Sequence, residues 1–170
     1  MAALSPEATS KGLSIRKAAA EDVPALQSII NASYSKYIER LGKPPAPMTA
    51  DYHGLLKTRD VFVLESACED GSARAVGSIT LGIEAEQDAV RINSLAVEPA
   101  AQGRGYGRAL MDFAEDVARV RGIGSMTLFT NVKMHENIGL YLKLGYVETE
   151  RKSEDGYDRV YFRKQLKATQ

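Results

Sequence analysis

The residues best suited to chemistry form a glycine-rich run, Gln102-Gly103-Arg104-Gly105-Tyr106-Gly107-Arg108. It separates an apolar, β-rich segment ending in Leu95-Ala96-Val97-Glu98-Pro99 from an amphipathic segment that starts near Ala109. Glycines let successive backbone N–H groups converge with no Cβ in the way. The opening turn of a helix adds unpaired N–H donors and the positive end of a dipole, so a strand, loop and helix in this order make a cradle for a diphosphate. A dinucleotide-binding turn needs glycine at the first, third and sixth positions, and counting from Gly103 puts Arg108 at the sixth. A triphosphate loop needs Gly-Lys followed by Ser or Thr, and the run has neither.

The elements that must position this loop follow from hydrophobic period. Leu13 to Lys17 alternates as a strand, and Asp22-Val23-Pro24 opens a helix whose apolar positions Val23, Leu26, Ile30 and Tyr34 keep helical spacing. Gly42 to Pro47 breaks the pattern, and a short helix follows, from Thr49-Ala50-Asp51-Tyr52 to about Lys57. Val61 to Leu64 and Ala75 to Ile83 read as a hairpin, and Val90 to Val97 as the strand that feeds the loop. The helix after the loop carries Leu110, Phe113, Ala114 and Val117 on one face, with Glu115 and Arg119 spaced for an ion pair on the other. Met126 to Thr130 reads as a buried strand, Asn137 to Leu144 as a helix stopped by Gly145, and Tyr146 to Arg151 with Arg159 to Lys164 as a closing hairpin.

Composition narrows the function. The 170 residues suit a single domain, here 13–166, preceded by an aperiodic tail at 1–12 that is expected to be mobile. Lys+Arg and Asp+Glu balance at 22 each, which gives no global field for nucleic acid or an anionic membrane. A lone Cys68 with only His53 and His135 offers no disulfide and no metal-ligand cluster, so no metal is expected. No apolar run approaches the ~20 residues of a membrane span and no secretory signal is evident, so a cytoplasmic location is expected.

The pattern Leu95-Ala96-Val97 followed by Gln102-x-x-Gly105-x-Gly107, together with Leu140-Tyr141-Leu142-Lys143-Leu144-Gly145-Tyr146, closely resembles the GCN5-related N-acetyltransferase (GNAT) family. The element order β-α-α-β-β-β-α-β-α-β-β is similar to that family over nearly the whole of 13–166. The resemblance implies a mixed α/β (α+β) fold, the GNAT acyl-CoA N-acyltransferase fold. Its central sheet has about seven mostly antiparallel strands, is flanked by about four helices, and has the strand ending at Val97 splayed from its parallel neighbour Met126 to Thr130. It further implies acetyl-CoA as co-substrate, held by Leu95, Ala96, Val97 and the run Gln102 to Arg108.

Acetyl transfer to an amine needs a neutral amine, stabilisation of the oxyanion and a proton for the departing thiolate. By resemblance, the Val97 N–H polarises the thioester carbonyl and the Tyr141 hydroxyl serves the leaving sulfur. The family often has Asn seven residues before that tyrosine, where this chain has Met134; Asn137, or alternatively Asn131, takes the polar contact to pantetheine. Positions that carry a base in some members hold Arg91 and Asn93, neither a base. A primary amine at pH 7 is neutral in only about one molecule per few thousand, a cost of roughly 4 to 5 kcal/mol. Asn93 could hold a relay water, Glu84, Glu86 or Glu98 could act through water, or the amine could arrive neutral.

On the acceptor side, Tyr34, Tyr37, Asp51 and Tyr52 are the expected pocket residues for an amine with an apolar body. The expected partner is a small-molecule amine. A peptide amino terminus and a non-catalytic acyl-CoA sensor are the alternatives. A homodimer is also compatible, with Arg159 to Lys164 presenting an edge.

Overall fold

In the computed structural model, which describes residues 12–168, seven strands form one sheet flanked by helices. The expected tail lies outside the described residues apart from Gly12. The strands are β1 (Leu13–Lys17), β2 (Asp60–Ala67), β3 (Ala73–Glu84), β4 (Ala89–Val97), β5 (Ser125–Asn131), β6 (Val147–Glu154) and β7 (Tyr157–Gln165). The helices are α1 (Val23–Tyr34), α2 (Tyr52–Thr58), α3 (Tyr106–Val120) and α4 (His135–Lys143), and a single further turn, Ile38–Leu41, extends α1 toward the proline loop. The sheet order is β1-β2-β3-β4-β5-β7-β6, antiparallel throughout except for the β4–β5 pair. The fold is therefore the mixed one expected, with element ends moved by a few residues.

Strand alternation explains the layering. Phe62 and Leu64 on β2 pack with Leu110, Phe113 and Val117 of α3, whereas Val61 and Val63, which alternate with them, pack with Leu26 of α1. α4 joins α3 on its face through Ile138, Tyr141 and Leu144, and α2 joins α1 on the other through Tyr52. Each face thus buries its own core. Leu110 and Leu26 are both fully buried.

Two expectations change. Glu115, assigned to the solvent face of α3, is buried because Lys164 of β7 reaches it at 2.5 Å, in addition to the expected Arg119 pair at 3.1 Å. The segment Arg159 to Lys164 is not a sheet edge: β7 is paired on both sides, by β5 and β6, and the two edge strands of the sheet are β1 and β6. A hairpin needs an inner strand, and only the sheet order reveals which one it is.

Asp60 ties three elements together. Its carboxylate meets Lys17 of β1 at 3.1 Å and Arg121, at the end of α3, at 2.7 Å. Burial alone would raise its pKa, but the bonds from Arg121 and Lys17 outweigh that and hold it below the usual value. A depressed carboxyl stabilises the fold above its unfolded value near 3.9 and loses that contribution as pH falls through the folded value. Asp60→Asn should therefore cost roughly 1 kcal/mol at pH 7, a lowering of Tm by about 2–4 °C. Urea melts at pH 7 and pH 3 check this: the gap between wild type and variant should narrow in acid.

Candidate active site

The site starts where two strands part. β4 and β5 pair only from Ala89/Ser125 to Ile92/Leu128, yet β4 continues to Val97 and β5 to Asn131. From Asn93 onward β4 therefore has no strand partner on its β5 side. The Glu98 N–H bonds the Val76 carbonyl on the β3 side, so by alternation the backbone groups of Val97 and Leu95 face the open edge. Two side chains take the carbonyls there: Tyr34 Oη donates to Leu95 O at 2.9 Å, and Gln102 Nε2 donates to Val97 O at 3.0 Å. The Leu95 and Val97 N–H groups are left facing the gap.

The glycine loop lies at the end of this edge. Pro99–Ala101 forms a 3-10 turn, and Gly103 and Gly105 then adopt φ of 79° and 82°, a conformation that side chains resist. Gly105 caps α3, whose first helical bond is Ala109 N–H to Gly105 O, so the N–H groups of Gly105, Gly107 and Arg108 have no intrahelical acceptor. A Cβ on Gly103 would meet nothing within 4 Å, and the backbone there is open to a ligand. Gly107 sits over the Leu95 and Val97 side chains, bringing the start of the helix against the free edge. The expected loop residues divide by role. Gln102 anchors the loop to β4, Tyr106 is buried in the core, Arg104 is exposed, and Arg108 pairs with Asp112 at 2.9 Å.

Behind the gap is a cavity of about 240 Å³ reached from both faces of the sheet. Tyr34 and Tyr52 enter from the α1–α2 side, and Asn137 and Tyr141 from α4. The Tyr141 ring is fixed against Tyr146 and Phe162, with centroids at 6.0 and 5.8 Å, and its hydroxyl has no hydrogen-bond partner among the described residues. Burial, with a smaller push from Tyr37, raises its pKa to about 12. Burial likewise raises Tyr34, and raises Tyr52 to about 12. Tyr52 Oη donates to Pro47 O at 2.9 Å, fixing the proline loop as a wall.

Other expected residues lie elsewhere. Tyr37 is buried beneath Lys36 and Arg40, outside the cavity lining. Asp51 folds over its own helix, so close to Gly54 that a Cβ there would sit 2.5 Å from Oδ2. Asn131 lines the cavity, but its Oδ1 accepts the Lys133 N–H at 2.9 Å and shapes the turn. Asn137 makes only long contacts, 3.4 Å to Thr130 Oγ1 and 3.6 Å to Met134 Sδ, which leaves its amide the freer of the two.

None of the three glutamates lines the cavity. Glu84 is held by Arg91 at 2.5 Å and Thr127 at 2.6 Å, Glu98 pairs with Arg74 at 2.8 Å, and Glu86 is exposed on the β3–β4 turn. Asn93 does line it. So do Thr80, Phe129 and Arg159, which sequence reasoning missed; each looks like an ordinary strand residue until pairing brings it to the gap. Arg159 is charged but already paired through Nη1 with Glu154 at 3.0 Å and Asp155 at 3.5 Å, and it stacks over Phe129. Beside the cavity, distant parts of the chain are joined: Tyr157, which lines it, donates through Oη to Pro44 O at 2.7 Å, and Lys43 Nζ donates to Gly156 O.

Comparison with known proteins gives this geometry a family. The model of the Acetyltransferase (GNAT) family matches residues 24–146. An IAA acetyltransferase from Azospirillum brasilense is 32% identical over 77 residues, 45% of this chain and 50% of that protein, so the matched region spans half the length of that relative. Among solved structures, the ribosomal-protein-S18-alanine N-acetyltransferase of Escherichia coli superposes with TM-score 0.69 at 19% identity, covering 93% of this chain and 96% of that one. The PaiA N-acetyltransferase of Thermoplasma acidophilum, solved in complex with coenzyme A, superposes with TM-score 0.67 at 16% identity, covering 91% and 99%. At these identities the structural likeness speaks for the fold.

Proposed function

The chain belongs to the acetyltransferase (GNAT) family, and from that premise we propose that it transfers the acetyl group of acetyl-CoA to the primary amine of a small molecule, by direct attack in a ternary complex. The observation that carries this reading is the early end of the β4–β5 ladder at Ile92/Leu128, which opens a cavity that Asn93 and Tyr141 line together.

The residues suit the co-substrate. The N–H groups of Gly105, Gly107 and Arg108 and the open backbone at Gly103 would hold its pyrophosphate, and the free edge at Leu95 to Val97, with Asn137, would hold the pantetheine arm. When bound, acetyl-CoA supplies an acetyl thioester. The Val97 N–H is the donor for negative charge that develops on an acyl oxygen, and it is preorganised because the Gln102 amide fixes the same peptide segment from the carbonyl side. Tyr141 remains protonated throughout the neutral range. A phenol and a thiol are both neutral acids, so burial that raises one raises the other, and their gap stays near the unperturbed ~1.5 units. Tyr141 therefore acts by donating a hydrogen bond to the leaving sulfur and passing it a proton, and the phenol recovers a proton from the attacking nitrogen, which gives one up as the amide forms. Cys68 lies outside the cavity lining, which accords with direct transfer rather than a covalent relay.

The small volume of the cavity, about 240 Å³, with Tyr157 and Pro45 to Pro47 on its wall, supports a small acceptor over a polypeptide. No helix among the described residues is long and apolar enough to cross a membrane; we place the enzyme in the cytoplasm on the sequence argument above. The test is thiol release from acetyl-CoA with a panel of primary amines, alongside calorimetry with coenzyme A. Turnover of at least one amine with a saturable coenzyme signal is the expected result. Coenzyme binding with no turnover across the panel would instead leave a binding module.

A further inference from the structure

At the mouth of the splay the β3–β4 ladder slips by one residue: Thr80 pairs with Ser94 and Leu81 with Ile92, so Asn93 is an extra residue on β4. A bulge re-aims the side chains beside it. Here it brings two polar groups to the wall of the same cavity, Thr80 from β3 and Asn93 from β4. Thr80 is 1% exposed. Its Oγ1 and the Asn93 Oδ1 are both buried, and neither has a hydrogen-bond partner among the described residues. Buried polar atoms are normally paired, and leaving one unpaired is costly, so two such oxygens from neighbouring strands, on residues that line one largely apolar cavity, call for a ligand that donates hydrogen bonds. The Asn93 amide is packed closely in place: a Cβ on Gly82 would come within 2.9 Å of Asn93 Oδ1 and within 3.2 Å of Arg59 Cδ and Nε.

We propose that Thr80 Oγ1 and Asn93 Oδ1 together form the docking point for the acceptor's nitrogen, each accepting one N–H. This rests on the acetyltransferase reading and adds a substrate class to it. A neutral primary amine that attacks through its lone pair has two N–H groups, one for each oxygen. A secondary amine has one and leaves an oxygen unpaired, so the niche selects primary amines over their N-methyl counterparts. Asn93 and Thr80 act by orientation: an amide oxygen and a hydroxyl take hydrogen bonds without removing a proton, and the amine's lone pair is left free.

The experiment compares kcat/KM for a primary amine that the enzyme turns over and for its N-methyl derivative, in wild type, Thr80→Val, Thr80→Ser and Asn93→Ala. Wild type should prefer the primary amine by at least about tenfold, the scale of one lost buried hydrogen bond. Thr80→Val should raise KM for the primary amine and shrink the preference to within about threefold, with KM for acetyl-CoA unchanged; Thr80→Ser should restore the preference. Thermal melts accompany each variant, and Gly82→Ala gives a second approach that displaces the Asn93 amide without removing either oxygen. Turnover with an unaltered preference in Thr80→Val and Asn93→Ala would overturn the niche alone. A protein that binds no coenzyme A and acetylates nothing would overturn the niche and the acetyltransferase reading together.

Discussion

Replacing Tyr141 by Phe is expected to lower kcat by about a hundredfold to ten-thousandfold, the range for loss of a positioned acid, while the affinity for coenzyme A changes little. The ring contacts with Tyr146 and Phe162 belong to carbons that Phe retains, so packing survives and only the hydroxyl is removed. Because that hydroxyl has no protein partner among the described residues, its loss leaves no other buried group unsatisfied. The pH dependence gives a second readout. With its pKa raised to about 12 by burial, Tyr141 should stay protonated to beyond pH 10, so the wild-type rate should show no alkaline decline from this group in the working range. Steady-state kinetics with the best amine, run beside calorimetry, check both points. A kcat within threefold of wild type would remove Tyr141 from the chemistry.

Val97→Pro should be nearly as damaging to turnover, roughly a hundredfold to a thousandfold in kcat, the scale for removing one oxyanion donor. Proline deletes one N–H, and the strand geometry makes this position unusually tolerant of the loss. The Glu98 N–H serves the β3 ladder, whereas that of Val97 faces the gap, so no ladder bond is broken. The residue before proline must be extended, which Ala96 already is within β4. Val97→Ala is the paired control. It keeps the N–H and trims a side chain that is 7% exposed, so it should cost roughly 2 kcal/mol of stability with kcat within a few-fold of wild type. If alanine lowers kcat as far as proline does, the effect comes from packing and the backbone donor has no role.

Both predictions use residues that stand out in the sequence, Val97 before the glycine loop and Tyr141 in the Leu-Tyr-x-x-x-Gly-Tyr segment. Their legibility has a local cause. The loop needs glycine where φ is positive, and Gly103 and Gly105 fall there; α4 ends at Gly145, with φ of 90°, because the chain must turn back into β6. The acceptor side was harder to read. Tyr34 and Tyr52 could be picked out as aromatic residues on two helices, but so could Tyr37 and Asp51, and only the way α1 and α2 lie on the sheet separates those that reach the cavity from those that do not. The candidate base glutamates also look free in sequence. Arg91, Thr127 and Arg74, distant along the chain or on neighbouring strands, engage Glu84 and Glu98.

By itself the sequence determined the order of strands and helices and the loop with its helix start, because each depends on period, turn chemistry and glycine conformation within a few residues. Tertiary structure alone decided where β4 leaves β5, which strand of the closing hairpin lies at the sheet edge, and that a one-residue slip beside Thr80 brings Asn93 to the cavity. Those outcomes depend on which strands pair and where pairing stops. That is settled by contacts between segments dozens of residues apart, which no local pattern encodes.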